Sequence, residues 1–370
     1  WLENAKENSI KNKDVILLDC YIKLKRYEIA KTKGVECLKN AFAIYNFSEA
    51  VSIARLLLST KRFKLKKDER FKIKLLLANA YCGRIDHEKG AQLYNELFRE
   101  FKEESTLLPE QEKNKFYHKA TNANLNSNHP DLALLILNDF GKTNITMPFY
   151  KLILYDRLAV VYLALGKIDD AEHNIHKAIK MAEKENNYEW KGIVYSDYAY
   201  LQYRGYQNPR KTYEYFMKAY DTQFPYLTYK NRIGELLQQK SFAELLKGNF
   251  ETALTDVNKS IETCQKIHST YLEAKAINLK GIIQILSNDQ KKGVETWSKG
   301  IDLCQEIKNL PSKIRIYCNL GAYYLAQNNI RYAKDNLLIS YQLFLDNHFS
   351  EVHYKELFYN LLRLYYITGE

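Results

Sequence analysis

Few side chains in this sequence are placed to do chemistry. His173 and His176 stand one helical turn apart, with Asp169, Asp170 and Glu172 beside them. Two imidazoles on one helix face could hold a metal ion, but a site needs a further ligand from elsewhere in the chain, and none stands out. The polar outer faces of helices commonly carry His and Glu, and His348 and His353 read as solvated residues about a loop. No G-x-x-x-x-G-K-[ST], G-x-G-x-x-G or G-x-S-x-G pattern occurs. Carboxylates are plentiful but scattered, whereas catalysis needs a preorganised pocket of converging groups. The sequence therefore points to no enzyme, no cofactor and no metal.

The cysteines Cys20, Cys37, Cys82, Cys264, Cys304 and Cys318 form no C-x-x-C pair and no zinc spacing. Most lie in apolar helical patterns, where a free thiol acts as a small core residue, and this fits a reducing, cytoplasmic setting. No signal peptide is expected, and no apolar run is long enough to span a bilayer. The 55 Lys+Arg against 44 Asp+Glu give a net charge of +11, an excess that suits nucleic acid, an anionic membrane or an acidic protein. Most of these charges are mixed along helix faces. The densest basic run, Lys61-Arg62-Phe63-Lys64-Leu65-Lys66-Lys67, interleaves apolar residues as a phosphate-gripping segment does. It also reads as a charged connection between helices.

What positions such residues is a repeat. A chain of 370 residues exceeds the ~250–300 residues at which single cores stop growing. Only 6 Pro and 14 Gly favour long uninterrupted helices. In Leu158–Ala178, Leu158, Ala159 and Tyr162 share one helical face, Gly166 ends that helix, and Ala171, Ile175 and Ala178 mark the inward face of a second. Small residues let two helices approach, and Tyr162 fills the hollow beside them. Leu320, Gly321, Tyr324, Asn328, Ala333 and Ser340 occupy the same slots, as do Gly248 and Ala253, and Gly281, Asn288, Gly293 and Trp297. The first small residues of the second helices are Ala50, Gly90, Ala133, Ala171, Thr212, Ala253, Gly293 and Ala333, a period of about 40 residues. Loops are expected at Glu103–Glu112, Asn138–Met147 and Asp221–Tyr229, near Pro109, Pro148 and Pro225, with Pro130 and Pro209 opening second helices.

This order of small residue, aromatic, turn and small residue resembles the tetratricopeptide repeat over most of Leu75–Glu370. HEAT-type repeats, whose period is also about 40 residues, are the structural alternative. The resemblance implies an all-α, right-handed solenoid of about eight to nine antiparallel helix hairpins. Residues 1–40 would form an N-terminal helical junction or cap, and 41–370 the array, with its last repeat incomplete at 370. A start at Trp1 would fit an arm cut from a larger chain. The resemblance further implies that first helices line a concave wall. By slot, the partner-binding candidates are Asp156, Tyr200, Tyr203, Arg204, Gln238, Lys275, Asn278, Arg315, Asn319, Tyr359, Asn360, Arg363 and Tyr366. Asn can serve a peptide backbone as donor and acceptor, and Lys275, Arg315 and Arg363 would favour acidic groups. The first-repeat Lys–Asn pair of chaperone-tail clamps is not found.

Long arrays of this period resemble the peptide-pheromone receptors of Gram-positive bacteria, with Asn278, Asn319 and Asn360 in matching positions. They also resemble the sensor arms of signal-transducing nucleotide-switch ATPases. Richness in Lys, Asn, Ile and Tyr fits an AT-rich bacterial genome. The expected function is non-catalytic: docking of a protein or peptide in the groove, transmitted to an attached effector or complex. The alternative is a helical-repeat protein that binds nucleic acid through its basic surface. Membrane insertion is not expected, and homo-oligomerisation is left open.

Overall fold

The computed structural model describes residues 13–43, 46–83, 86–184, 187–227, 230–267, 269–307, 309–346 and 354–369. Eighteen α-helices and no strand occur among them. They fall into two compact units, Trp1–Asn144 and Ile145–Glu370. The first unit holds α1 (Lys13–Lys23), α2 (Tyr27–Ala43), α3 (Phe47–Ser59), α4 (Lys67–Gly83), α5 (His87–Glu103), α6 (Glu110–Asn126) and α7 (Pro130–Lys142). The second holds α8 (Pro148–Ala164), α9 (Ile168–Ala182), α10 (Tyr188–Arg204), α11 (Pro209–Gln223), α12 (Lys230–Leu246) and α13 (Phe250–Lys266), followed by α14 (Thr270–Leu286), α15 (Gln290–Glu306), α16 (Leu310–Ala326), α17 (Ile330–Asp346) and α18 (Lys355–Thr368).

Successive helices pair as hairpins, from α2 with α3 to α16 with α17, and α18 packs on the last of them. The hairpin of α2 and α3 runs across the boundary expected at residue 40. Each second helix carries a small residue at its fourth position, and Ala50, Ala133, Ala171, Thr212, Ala253 and Ala333 are all without exposed surface. A small side chain there allows the backbones to close, and the longer apolar residues then interdigitate. The cores join neighbours: Leu152 and Ala159 of α8 pack with Ala171, Ile175 and Ala178 of α9, and with Val194, Tyr198 and Leu201 of α10. No hairpin buries its own seam alone, which is the physical basis of a repeat array. The architecture is the all-α, tetratricopeptide-like solenoid expected from the spacing.

Inside hairpins the turn needs one left-handed residue. Asn128, Gly166, Gln207, Gly248, Asn288 and Asn328 supply it with φ of 66, 73, 51, 81, 69 and 54°. Gly adopts this conformation without cost and Asn tolerates it. Second and first helices are started by Asn46, Asn187, Asn208 and Asn309, whose side-chain oxygens accept from the backbone N–H groups of Glu49, Trp190, Lys211 and Ser312. Pro130, Pro148 and Pro209 stand at helix starts, where their missing N–H costs nothing.

Two expected loops are shorter than the sequence suggested. Helix α7 runs on through Lys142 because Phe140 is fully buried and stacks on Tyr117, ring centroids 4.8 Å apart. Helix α11 runs on through the buried Gln223 and passes into a 3-10 turn at Phe224–Tyr226 that contains Pro225. Between α5 and α6, a 3-10 turn at Ser105–Leu107 leads to Pro109, which caps α6. His348, His353 and residues 228–229 of the third expected loop lie outside the described residues.

Candidate functional site

All thirteen candidate residues belong to the second unit, on its first helices α8, α10, α12, α14, α16 and α18. Those helices curl about a common space. Tyr203, near the end of α10, lies within electrostatic reach of Arg315 on α16 and Glu356 on α18. Arg204 reaches the same two charges, and Tyr354 senses Arg204. Arg204 keeps an exposed side chain. It nevertheless stands deep in the curl, and desolvation, then Arg315, lowers its guanidinium below the ordinary value. Open surface combined with surrounding protein mass is the signature of a concave wall.

The end of the wall built by α8, α10 and α12 is a lattice of paired charges. Arg157 donates from Nε and Nη2 to Oδ2 of Asp156, at 2.9 and 2.6 Å, and from Nη2 to Oδ2 of Asp197 at 2.5 Å. Arg232 donates to Oε2 of Glu235 at 2.6 Å and to Oε1 of Gln223 at 3.0 Å. Ser196 donates to Oε1 of Gln239 at 2.9 Å, tying α10 to α12. Burial and then the Asp156 charge raise the Asp197 carboxyl from 3.8 to about 7. Arg157 is shared by the two carboxylates, and Asp197, whose charge burial and its neighbour oppose, ionises late. Glu235 goes the other way: burial alone would raise it, but Arg232, with Lys275 and Arg157 behind, brings it below its ordinary value.

Asp156 corrects the sequence expectation. Its relative exposure is 0%, so it cannot touch a partner; it orients Arg157 instead. Gln238 is half-buried and donates to the Leu272 carbonyl at 2.9 Å.

From α10 to α18 the wall turns basic and aromatic. Arg204 lies over the Tyr200 ring at 5.6 Å, Lys275 over Tyr271 at 4.5 Å, Arg315 over Tyr354 at 5.2 Å and Arg363 over Tyr359 at 6.0 Å. Tyr203 meets Phe242 edge-on at 4.9 Å. Between the cations, Asn319 donates to Oδ1 of Asn278 at 2.9 Å. Asn360 is only 7% exposed and donates to the Cys318 sulfur at 3.5 Å, so its reach into the groove is small. Burial pushes that thiol up to about 11, which keeps it protonated and unreactive at neutral pH. Tyr359 and Tyr366 are 63% and 90% exposed.

Arg157, Asp197, Arg232, Glu235, Tyr271, Tyr354 and Glu356 also belong to this wall and were not singled out from sequence. The Tyr-x-x-x-Arg/Lys spacing of Tyr200–Arg204, Tyr271–Lys275 and Tyr359–Arg363 is a signal that could have found Tyr271. Elsewhere, His176 stands 3.6 Å from Glu172 on the outer helix α9. The basic run forms the connection from α3 to α4, pinned by the buried Phe63, with Lys61, Arg62, Lys64, Lys66 and Lys67 exposed. An open depression of about 660 Å³ lies along α11, lined by Arg210, Tyr213, Met217 and Lys247.

No protein-family model matches the sequence, and no protein of curated function matches it in sequence. Solved structures do match in fold. The Rap conjugation gene regulator of plasmid pLS20, in complex with a Phr peptide, is 12% identical with a TM-score of 0.63, over 96% of this chain and 96% of that one. The apo quorum sensor NprR of B. thuringiensis is 13% identical with a TM-score of 0.59, over 93% of this chain and 91% of that one. A signal transduction ATPase with numerous domains and a tetratricopeptide repeat sensor, from Pyrococcus horikoshii, is 15% identical with a TM-score of 0.55, over 93% of this chain. The present chain spans half of that protein's length. At these identities the likeness is one of fold, and the fold is the tetratricopeptide-repeat array.

Proposed function

We propose that this chain is a non-catalytic docking array that takes a peptide or an extended protein segment on the inner wall of its second unit and passes the event to an attached effector or complex. The observation that carries this reading is the curl of first helices, with Tyr203, Arg204, Lys275, Asn278, Arg315 and Asn319 arrayed along one wall. Large aromatic surfaces anchor a ligand, and side-chain amides match its backbone groups. The plasmid regulator of similar fold was solved with a peptide bound, which adds support. A ligand that contacts several first helices at once favours one superhelical pitch over another, and an effector reading that pitch would respond.

The test is selection of random peptides displayed on phage by the immobilised chain. Tyr366→Ala and Asn319→Ala are expected to lose the enriched peptides with little change in melting temperature. Tyr332→Ala, on the outer helix α17, should keep them. Equal loss of folding and binding in the inner variants would contradict the reading. The exposed cations from Lys61 to Lys67 favour a second reading, nucleic-acid binding. A steep fall of RNA affinity with salt, reduced when these lysines are changed to Gln, would establish it.

A further inference from the structure

We propose that the wall from α10 to α18 recognises carboxylates, and that Arg204, Lys275, Arg315 and Arg363 receive acidic side chains of the bound peptide. This rests on the docking reading above and names the ligand chemistry.

Each of the four cations is seated on a tyrosine face. In three of them the ring comes from four residues earlier on the same helix. A ring face attracts the cation and helps to hold it in place. Each of the last three first helices also pairs its cation with an asparagine one turn away: Lys275 with Asn278, Arg315 with Asn319, and Arg363 with Asn360. Asn278 and Asn319 are only half-buried, so a carboxylate at the cation would lie beside amide groups able to meet the flanking backbone.

The same wall is ill-suited to a continuous polyanion. Glu235 sits at one end, and Glu356 stands within reach of Arg204 at the other. A phosphate backbone would meet these carboxylates in succession, whereas a peptide can place an acid only where a cation waits. The spacing follows from the fold. Helices α14 and α16 are direct neighbours. Packed helices lie ~8–10 Å apart, and a peptide in the polyproline II form rises ~3.1 Å per residue and returns to the same face every third one, so acids meeting Lys275 and Arg315 should be about three residues apart.

Fluorescein-labelled hexapeptide pools test this by anisotropy on the whole chain. The pools carry Glu-x-x-Glu, Glu-x-Glu or Gln-x-x-Gln in random flanks, each with a free or an amidated C-terminus. The Glu-x-x-Glu pool should bind about tenfold tighter than Gln-x-x-Gln, as expected for a pair of charge-assisted hydrogen bonds. Lys275→Gln with Arg315→Gln should abolish that preference, so that the Glu and Gln pools bind alike, and Lys in place of Arg315 should restore part of it. Equal binding of Glu and Gln pools overturns the proposal and leaves docking intact. Absence of binding by every pool removes the docking reading itself. Affinity that follows the free C-terminus and ignores internal Glu overturns recognition of side chains. Displacement of the peptides by oligouridine at lower concentration overturns it in favour of nucleic acid.

Discussion

Asp197 is the residue whose ionisation the fold opposes most visibly. Burial, then Asp156 on the far side of Arg157, raises it from 3.8 to about 7. Between those pH values the folded chain holds a proton that the unfolded chain has released. Stability therefore falls as pH rises through this window, to the extent that this group governs it. Asp197→Asn removes the titration, so denaturant midpoints taken between about pH 4.5 and 7.5 should decline less in the variant than in the parent. An unchanged pH slope would show that Arg157 neutralises Asp197 throughout. None of this was legible in sequence. The slot rule placed Asp156 on the wall because its register is right, but Arg157 and Asp197 meet across two helices about 40 residues apart, and a local pattern carries no trace of such a pairing. The exposed members, Tyr359, Arg363 and Tyr366, were legible, because their apolar neighbours Leu357, Leu361 and Leu364 define the buried face of the same helix.

At the scale of the helix pair, small residues do most of the specifying. A Cβ on Gly281 would press into the Trp297 ring, whose Nε1 donates to the Asn278 carbonyl at 3.1 Å. Gly281→Ala is therefore expected to cost about 1–3 kcal/mol in urea denaturation, the usual penalty of overpacking. A neutral result would mean that α14 and α15 can part without loss. Asn328→Gly is expected to be neutral or stabilising by a few tenths of a kcal/mol, since its φ of 54° suits Gly better. Both positions could be read from the repeat. The left-handed slot showed itself through Gly166, Gly248, Asn288 and Asn328. It stayed hidden at Gln207, where a residue of no turn preference takes the same conformation because Asn208 and Pro209 fix the start of the next helix. The loops misjudged at α7 and α11 share one cause: Phe140 and Gln223 are held by partners on other helices, and these extend the helices beyond their local signals.

For the whole molecule, an array of hairpins draws its stability from nearest neighbours. Helix α18 packs mainly on α16 and α17 among the described helices, and one side of it carries Tyr359, Leu362 and Tyr366 in the open. Its amides should exchange faster than those of α12 or α14, which have neighbours on both sides, and should slow when a peptide occupies the wall. Fast exchange unaffected by ligand would place binding elsewhere.

Site-specific photo-crosslinking settles where the ligand sits. A benzophenone side chain replaces Tyr203 on the inner wall or Tyr332 on the outer helix α17, and each protein is irradiated with the peptide pool it retains. The inner position should capture peptide and the outer one should not. Capture at Tyr332 with none at Tyr203 would contradict the inner wall as the docking surface.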